Sequence, residues 1–256
     1  MSASPIASPG RAIGPVDVTA MTRDEAVSTV LDAIDRGGSA LFAFANAHTI
    51  NLARRDAALR RALAEMTVFN DGIGLELASR MIHGRGFSAN LNGTDLTPAL
   101  LAALRAPTPV FLLGSPPGVA ERAAAALSGR YPHCRVVGTH HGFFATDEAA
   151  AVTRRIATSG ATLVLVGMGQ PQQERWAVDH GTSLPATICC IGAFLDFAAG
   201  VVSRAPGWVQ AARLEWAFRL AAEPRRLARR YLVGNATFMA AMTAVAIRRR
   251  IGGRPD

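Results

Sequence analysis

The chain has 256 residues, half of them apolar and 18% charged, which excludes a disordered chain and suits one α/β domain with an appendage, or at a stretch two small domains. Three cysteines exclude a disulfide scaffold; Cys189 and Cys190 are adjacent, and reduced thiols in a cytosolic compartment are expected. All 27 basic residues are arginine, and the net charge of +8 sits wholly in residues 200–256, where 11 Arg face three acids, so the basic end is expected to meet an anion: phosphates, a membrane face or nucleic acid.

Residues 1–20 read as a loose tail, and Met1 to Gly14 lacks the apolar run of a signal peptide. Thr22 and Glu25 have capping-box spacing and open a helix to about Arg36. Ser39 to Ala45 predicts a buried strand ending at Asn46, followed by helical pattern through Met66. Thr67 to Asn70 is a short strand running into Asp71-Gly72-Ile73-Gly74, and Leu75 to Ile82 is helical. Thr94 or Asp95 caps a helix to about Leu104. The pattern then turns regular. Strands over Pro109–Gly114, Cys134–Gly138, Thr162–Gly167 and Ala186–Gly192 alternate with helices over Pro117–Arg130, Asp147–Ser159 and Pro171–His180. Short strands apolar on both faces, alternating with helices, predict an α/β fold with a doubly wound, mostly parallel, Rossmann-like sheet. Ligands of such sheets bind beyond the carboxyl ends of the strands.

Arg204-Ala205-Pro206 marks a break. Trp208 to Ala222 reads as a helix, and Pro224 starts another in which Arg225, Arg226, Arg229 and Arg230 form two i,i+4 pairs. Tyr231 to Ile247 carries no charge and is closed by Arg248-Arg249-Arg250. That run is short for a spanning helix; an interfacial helix fits it, and a buried core helix is the alternative.

Several residues could do chemistry. Gly167-Met168-Gly169-Gln170-Pro171-Gln172-Gln173-Glu174 joins a strand to a helix, and such a turn either cradles a pyrophosphate or is plain punctuation. It is neither a dinucleotide fingerprint, because Gln172 stands at the third glycine, nor a P-loop, because the chain has no lysine. Asp71 is either a helix cap or a general base at the sheet edge. Asn46 is a turn residue or a ligand to a polar substrate, and Asp196 is a cap or a site residue. The six histidines show no metal spacing, and there is no Asp-x-Asp and no Gly-x-Ser-x-Gly.

Taken in order, these pieces resemble the WecG/TagA/CpsF family of bacterial glycosyltransferases. The match runs from Asn46 and Asp71-Gly72-Ile73-Gly74 through Asn92-Gly93-Thr94-Asp95-Leu96, Val110 to Gly114, and Gly142-Phe143-Phe144. It continues with Gly167 to Glu174, Gly192 to Gly200, Arg204 to Trp208, Leu214-Glu215-Trp216 and Glu223 to Tyr231. It covers roughly residues 20 to 235.

The resemblance implies an inverting transfer of a hexose or N-acetylhexosamine from a UDP-sugar to a polyprenyl-diphosphate-linked sugar. The transfer would occur at the cytoplasmic membrane face, in surface or exopolysaccharide synthesis, with no metal and no cofactor. Asp71 is then the catalytic base. Asn46, Asn90, Asp95, Gly167 and Gly169 would bind substrate, as would Gln170, Gln173, Glu174, Asp196 and Arg204. Arg219, Arg226 and Arg229 of the basic end would close over the diphosphate, for which the guanidinium fork is suited. Phe44 stands where many members have Thr, and Asn90 near where many have Arg. The donor is therefore UDP-glucose or UDP-N-acetylmannosamine. The expected parts are a tail at 1–20, a catalytic α/β domain at 21–203 and a membrane-associating helical appendage at 204–256. The expected partners are the donor, the lipid-linked acceptor and a membrane surface, with self-association allowed and nucleic acid excluded. A membrane-tethered, non-catalytic nucleotide-binding module is the alternative.

Overall fold

The computed structural model describes residues 10–211 and 214–251, without the side chains of residues 210, 211 and 226. Strands β1 (Gly10–Ile13) and β2 (Val16–Thr19) form an antiparallel hairpin. The expectation of a loose tail is therefore corrected for residues 10–19. Ile13, Val16 and Val18 are buried in the core, and β2 pairs in parallel with a later strand. Helix α1 (Arg23–Arg36) follows with both arms of the Thr22–Glu25 capping box made.

Next come β3 (Ala40–Ala45), α2 (Ala47–Ala53), α3 (Ala57–Ala64) and β4 (Thr67–Asn70). The helical stretch expected from Asn46 to Met66 is thus two helices. The first ends at Ala53, and Asp56 caps the second, accepting the N–H groups of Ala58 and Leu59. Helix α4 (Ile73–His83) starts from Gly72, and α5 (Gly93–Ala103) is capped by Asn92 rather than by Thr94 or Asp95. Then follow β5 (Thr108–Gly114), α6 (Val119–Arg130), β6 (Cys134–His140), α7 (Ala149–Thr158), β7 (Leu163–Gly167), α8 (Gln172–Asp179), β8 (Thr187–Cys190) and α9 (Phe194–Ala198).

The eight strands form one sheet, in the order β1-β2-β4-β3-β8-β7-β5-β6, parallel except for the hairpin. Strand periodicity sends alternate residues to opposite faces. On one face Leu41, Ala43, Phe111, Val164, Ile188 and Cys190 pack beneath α2, α3, α4, α7 and α8. On the other, Phe42, Phe44, Leu112, Leu163 and Cys189 pack beneath α1, α5, α6 and α9. Cys189 and Cys190 therefore point away from each other, buried and unpaired, and burial pushes the Cys189 thiol up to about 12. The sheet is doubly wound, as expected.

The basic end forms α10 (Gly207–Ala211), α11 (Glu215–Ala222), α12 (Pro224–Ala228), a π-helical turn over Arg229–Val233, and α13 (Gly234–Ile251). One face of α13 lies against α2 and α4, where Phe238 is 0% and Met242 1% exposed. Asn51 of α2 donates to the Gly234 carbonyl at 2.7 Å, fixing its start. The opposite side of the segment stays open, with Ile247 exposed. No described helix is long and apolar enough to cross a membrane.

Candidate active site

The carboxyl ends of β3 and β4 lie side by side, and the Asp71 N–H donates to the Ala45 carbonyl at 2.8 Å. That bond carries the ladder one residue past β4 and sets Asp71 beside Asn46. Asp71 does not cap α4: the helix starts from Gly72 with no side-chain cap. Its carboxylate is left for another use. The Nδ2 of Asn46 donates to Asp71 Oδ2 at 3.2 Å. Asn46 itself caps α2, its Oδ1 accepting the N–H groups of His48 and Thr49 at 3.0 and 3.2 Å.

A cavity of about 430 Å³ opens over this pair. One wall is the loop between α4 and α5. Asn90 Oδ1 accepts the Gly72 N–H at 2.7 Å, and Glu76 Oε2 accepts the Phe87 N–H at 2.7 Å. The other wall comes from the basic end: Arg204, Glu215, Trp216, Arg219, Arg230, Tyr231 and Asn235. Arg204 pairs with Asp95 and lies 3.9 Å from Glu215 Oε1. Arg219 sits over the Phe197 ring, 5.7 Å from its centroid, and its Nε is buried with no hydrogen-bond partner among the described residues. The Trp216 and Tyr231 rings are 6.1 Å apart, inclined at 57°.

Burial raises the Asp71 carboxyl above the ordinary aspartate range, and nearby Asp95 adds to this. The Asn46 hydrogen bond, Arg230 and Arg219 oppose the rise and favour the ionised form. Burial, helped by Arg230, pushes His48 down to about 4, so this imidazole on the cavity wall is neutral at physiological pH. Burial and repulsion from Asp95 raise Glu215, against the pull of Arg204. Among the described residues, no three His, Cys, Asp or Glu side chains are grouped to hold a metal ion.

Of the residues singled out in the sequence, Asn46, Asp71, Asn90, Asp95, Arg204 and Arg219 line the cavity. Gly167, Gly169, Gln170, Gln173 and Glu174 do not; they stand behind it. A Cβ at Gly167 would lie 2.7 Å from the Gly192 carbonyl oxygen, so close strand-end packing accounts for that glycine. Gly169 has a φ of +80°, which the turn into α8 requires. Gln170 donates to the Phe44 carbonyl at 2.9 Å. Gln173 and Glu174 are buried and hydrogen-bonded to each other at 2.7 Å. Asp196 lies in the first turn of α9, away from the cavity wall, whereas its neighbour Phe197 lines it. Arg229 is exposed, and Arg230 faces the cavity in its stead. The Arg226 side chain lies outside the described residues.

His48, Glu215, Trp216, Arg230 and Tyr231 are among the cavity residues to which sequence reasoning gave no role. Glu215, Trp216 and Tyr231 stand inside the ordered strings quoted above. His48 carried only the weak signal of lying two residues past Asn46.

A family model described as "Glycosyl transferase WecG/TagA/CpsF family" matches residues 11–252. The chain belongs to this family. The WecG/TagA/CpsF match takes in the β1–β2 hairpin but for Gly10 and the whole of α13, so both ends of the described chain are family structure. Membership in WecG/TagA/CpsF makes the chain a glycosyltransferase, with a sugar donor and an acceptor.

Proposed function

We propose that the protein moves a hexose or N-acetylhexosamine from a UDP-sugar to a polyprenyl-diphosphate-linked sugar, with inversion and without a metal. The setting is the cytoplasmic face of a bacterial membrane, in surface or exopolysaccharide synthesis. The observation that carries this reading is Asp71. It is a carboxylate at a strand end, unused as a cap, held by Asn46 and faced by Arg219 and Arg230 across a cavity.

The chemistry is one displacement. The acceptor hydroxyl oxygen attacks the anomeric carbon while Asp71 takes its proton. The bond from that carbon to the UDP oxygen breaks, and its electron pair leaves on the diphosphate. A carboxyl raised by burial is a stronger base than an ordinary one, and the two guanidiniums oppose that rise and favour the ionised form in which it acts. Arg219 and Arg230 then meet the charge that develops on the leaving diphosphate. Trp216 and Tyr231 offer ring faces to a pyranose, and Asp95 and Glu215 offer acceptors to its hydroxyls. The donor is UDP-glucose or UDP-N-acetylmannosamine. Asn90, near where many members carry arginine, leaves one positive charge fewer at the rim.

The membrane part of the reading rests on the outer side of the basic end. Trp208 is 73% exposed, Leu232 and Val233 are 60% exposed, and Arg225 and Arg229 stand exposed among them. Apolar side chains flanked by arginine suit an anionic leaflet.

The test is turnover in the presence of EDTA, with UDP-glucose, UDP-N-acetylmannosamine and polyprenyl-diphosphate-linked acceptors, reading UDP release and glycolipid mass together. One donor is expected to give a mass gain of one sugar. Asp71→Asn is expected to lower kcat about 100-fold or more with UDP affinity kept. Donor binding without transfer to any acceptor, unchanged in Asp71→Asn, overturns the reading.

A further inference from the structure

The hydrogen bonds behind Asn46 fix the orientation of its amide. A backbone carbonyl only accepts, so the Phe44 carbonyl must face the Nε2 of Gln170, at 2.9 Å. The Gln170 Oε1 therefore faces the Thr49 hydroxyl, at 2.9 Å, and is the nearer acceptor for that group's single proton, the Asn46 Oδ1 standing at 3.3 Å. The Thr49 oxygen in turn accepts the backbone N–H of Asn46, at 3.0 Å. Two further backbone N–H groups, of His48 and Thr49, claim the Asn46 Oδ1. The amide of Asn46 cannot flip, and its NH₂ group must point at Asp71.

From this geometry we infer that Gln170 and Thr49 are positioning residues for the base: they lock Asn46 so that its amide donates to the Asp71 carboxylate. Neither lines the cavity, so neither touches substrate. The Gly167-to-Glu174 turn is thereby a bracket for the catalytic carboxylate and not a phosphate cradle. This inference rests on Asp71 being the base.

The lock acts on a carboxylate faced by many charges. Arg230 comes from the π turn, Arg219 and Glu215 from α11, and Asp95 from α5, with Arg204 paired to Asp95 and His48 on α2. Glu174 on α8 lies behind Gln170 and accepts a hydrogen bond from it. None of these changes in a Thr49 variant, so a difference between variants isolates the Asn46 contact.

The experiment is a carbon-13 NMR titration of the Asp71 carboxyl, assigned by its loss in Asp71→Asn, in the full chain. A hydrogen bond donated to a carboxylate favours its charged form, so a loosened Asn46 raises the midpoint. Thr49→Val is expected to shift it upward by about half a pH unit or more, and Thr49→Ser, which keeps the hydroxyl, is expected to leave it in place. Gln170→Met is expected to move it the same way, and the double variant no further than the larger single. In turnover, Thr49→Val is expected to lower kcat about tenfold at unchanged donor KM, with Thr49→Ser restoring it. A wild-type midpoint in Thr49→Val and Gln170→Met, or full additivity of the two, overturns the inference. Circular dichroism checks folding, and Gln170→Met carries the comparison if Thr49→Val does not fold. The titration needs no turnover. A wild-type chain that transfers nothing therefore overturns the function alone, and the midpoints still decide the positioning role.

Discussion

Glu174 and Asp71 are both carboxyls raised by burial, and their surroundings put them to different ends. Glu174 is fully buried. Its Oε2 has no hydrogen-bond partner among the described residues, and burial pushes it up to about 7. Among the described residues no guanidinium favours its anion. A group whose folded pKa lies above its unfolded value binds more protons in the folded state. Stability therefore falls as pH rises from the unfolded value of 4.5 to the folded value of about 7. At 1.36 kcal/mol per pH unit the loss is about 3 kcal/mol, complete above the folded value. Glu174→Gln removes that slope. Urea unfolding at a series of pH values is expected to show the variant gaining on wild type by that amount between acid and weakly alkaline conditions. A constant difference between the two chains would mean that Glu174 is not held neutral. Asp71 differs because Arg230 and Arg219 face it and favour the ionised form that a base needs. The acid limb of turnover is expected above the ordinary aspartate range, where burial raises both Asp71 and its cavity neighbour Glu215, and not from His48, which does not charge until about pH 4.

At the scale of elements, the segment from α11 through the π turn to α13 decides which arginines reach the chemistry. Successive residues on a helix point well apart, so Arg229 and Arg230 cannot both face the cavity. Arg230 does so, from the π turn, and Arg219 joins it from α11. Arg219→Ala and Arg230→Ala are each expected to lower kcat about 100-fold in detergent-dispersed assays, the scale for removing one group that meets transition-state charge. Arg229→Ala is expected to stay within about twofold of wild type, since surface charges away from the site contribute little. Equal losses for Arg229 and Arg230 would put the helix in a different phase. The sequence could count these arginines but could not phase them, because a π turn shifts the register with no signature in composition. The same limit applied to Gly167-to-Glu174. Its strand–turn–helix form was legible, but whether its side chains faced a ligand or another strand end depended on Phe44 and Thr49, more than 100 residues away. Asn46 and Asp71 were legible because polar residues at strand ends have few other places to be. The hairpin of β1 and β2 escaped notice because four-residue strands are too short to show a period.

At the scale of the whole molecule, α13 packs the end of the described chain against its start. Phe238, Met242 and Ala246 belong to the same buried cluster as Ile13 and Val16 of the hairpin and Leu41 of the central sheet. The uncharged run that closes the chain was legible as a helix with an apolar face. Its burial was not, because an interfacial helix and a packed one share that pattern, and the face of α4 that receives it is far off in sequence. The consequence is that the basic end is bound into the core as well as forming a cavity wall. Met242 tests this cleanly, since it is 1% exposed and does not line the cavity. Met242→Ala is expected to cost about 2–5 kcal/mol of unfolding free energy, the range for emptying a buried methionine site. A body that folds without α13 would feel almost nothing, because the lost contacts would lie on a detachable helix. Urea unfolding followed by far-UV circular dichroism separates the two. A single transition displaced to lower urea means that α13 melts with the sheet. An unmoved transition would mean that the helix is an appendage, held to the body only when substrate or a membrane surface holds it there.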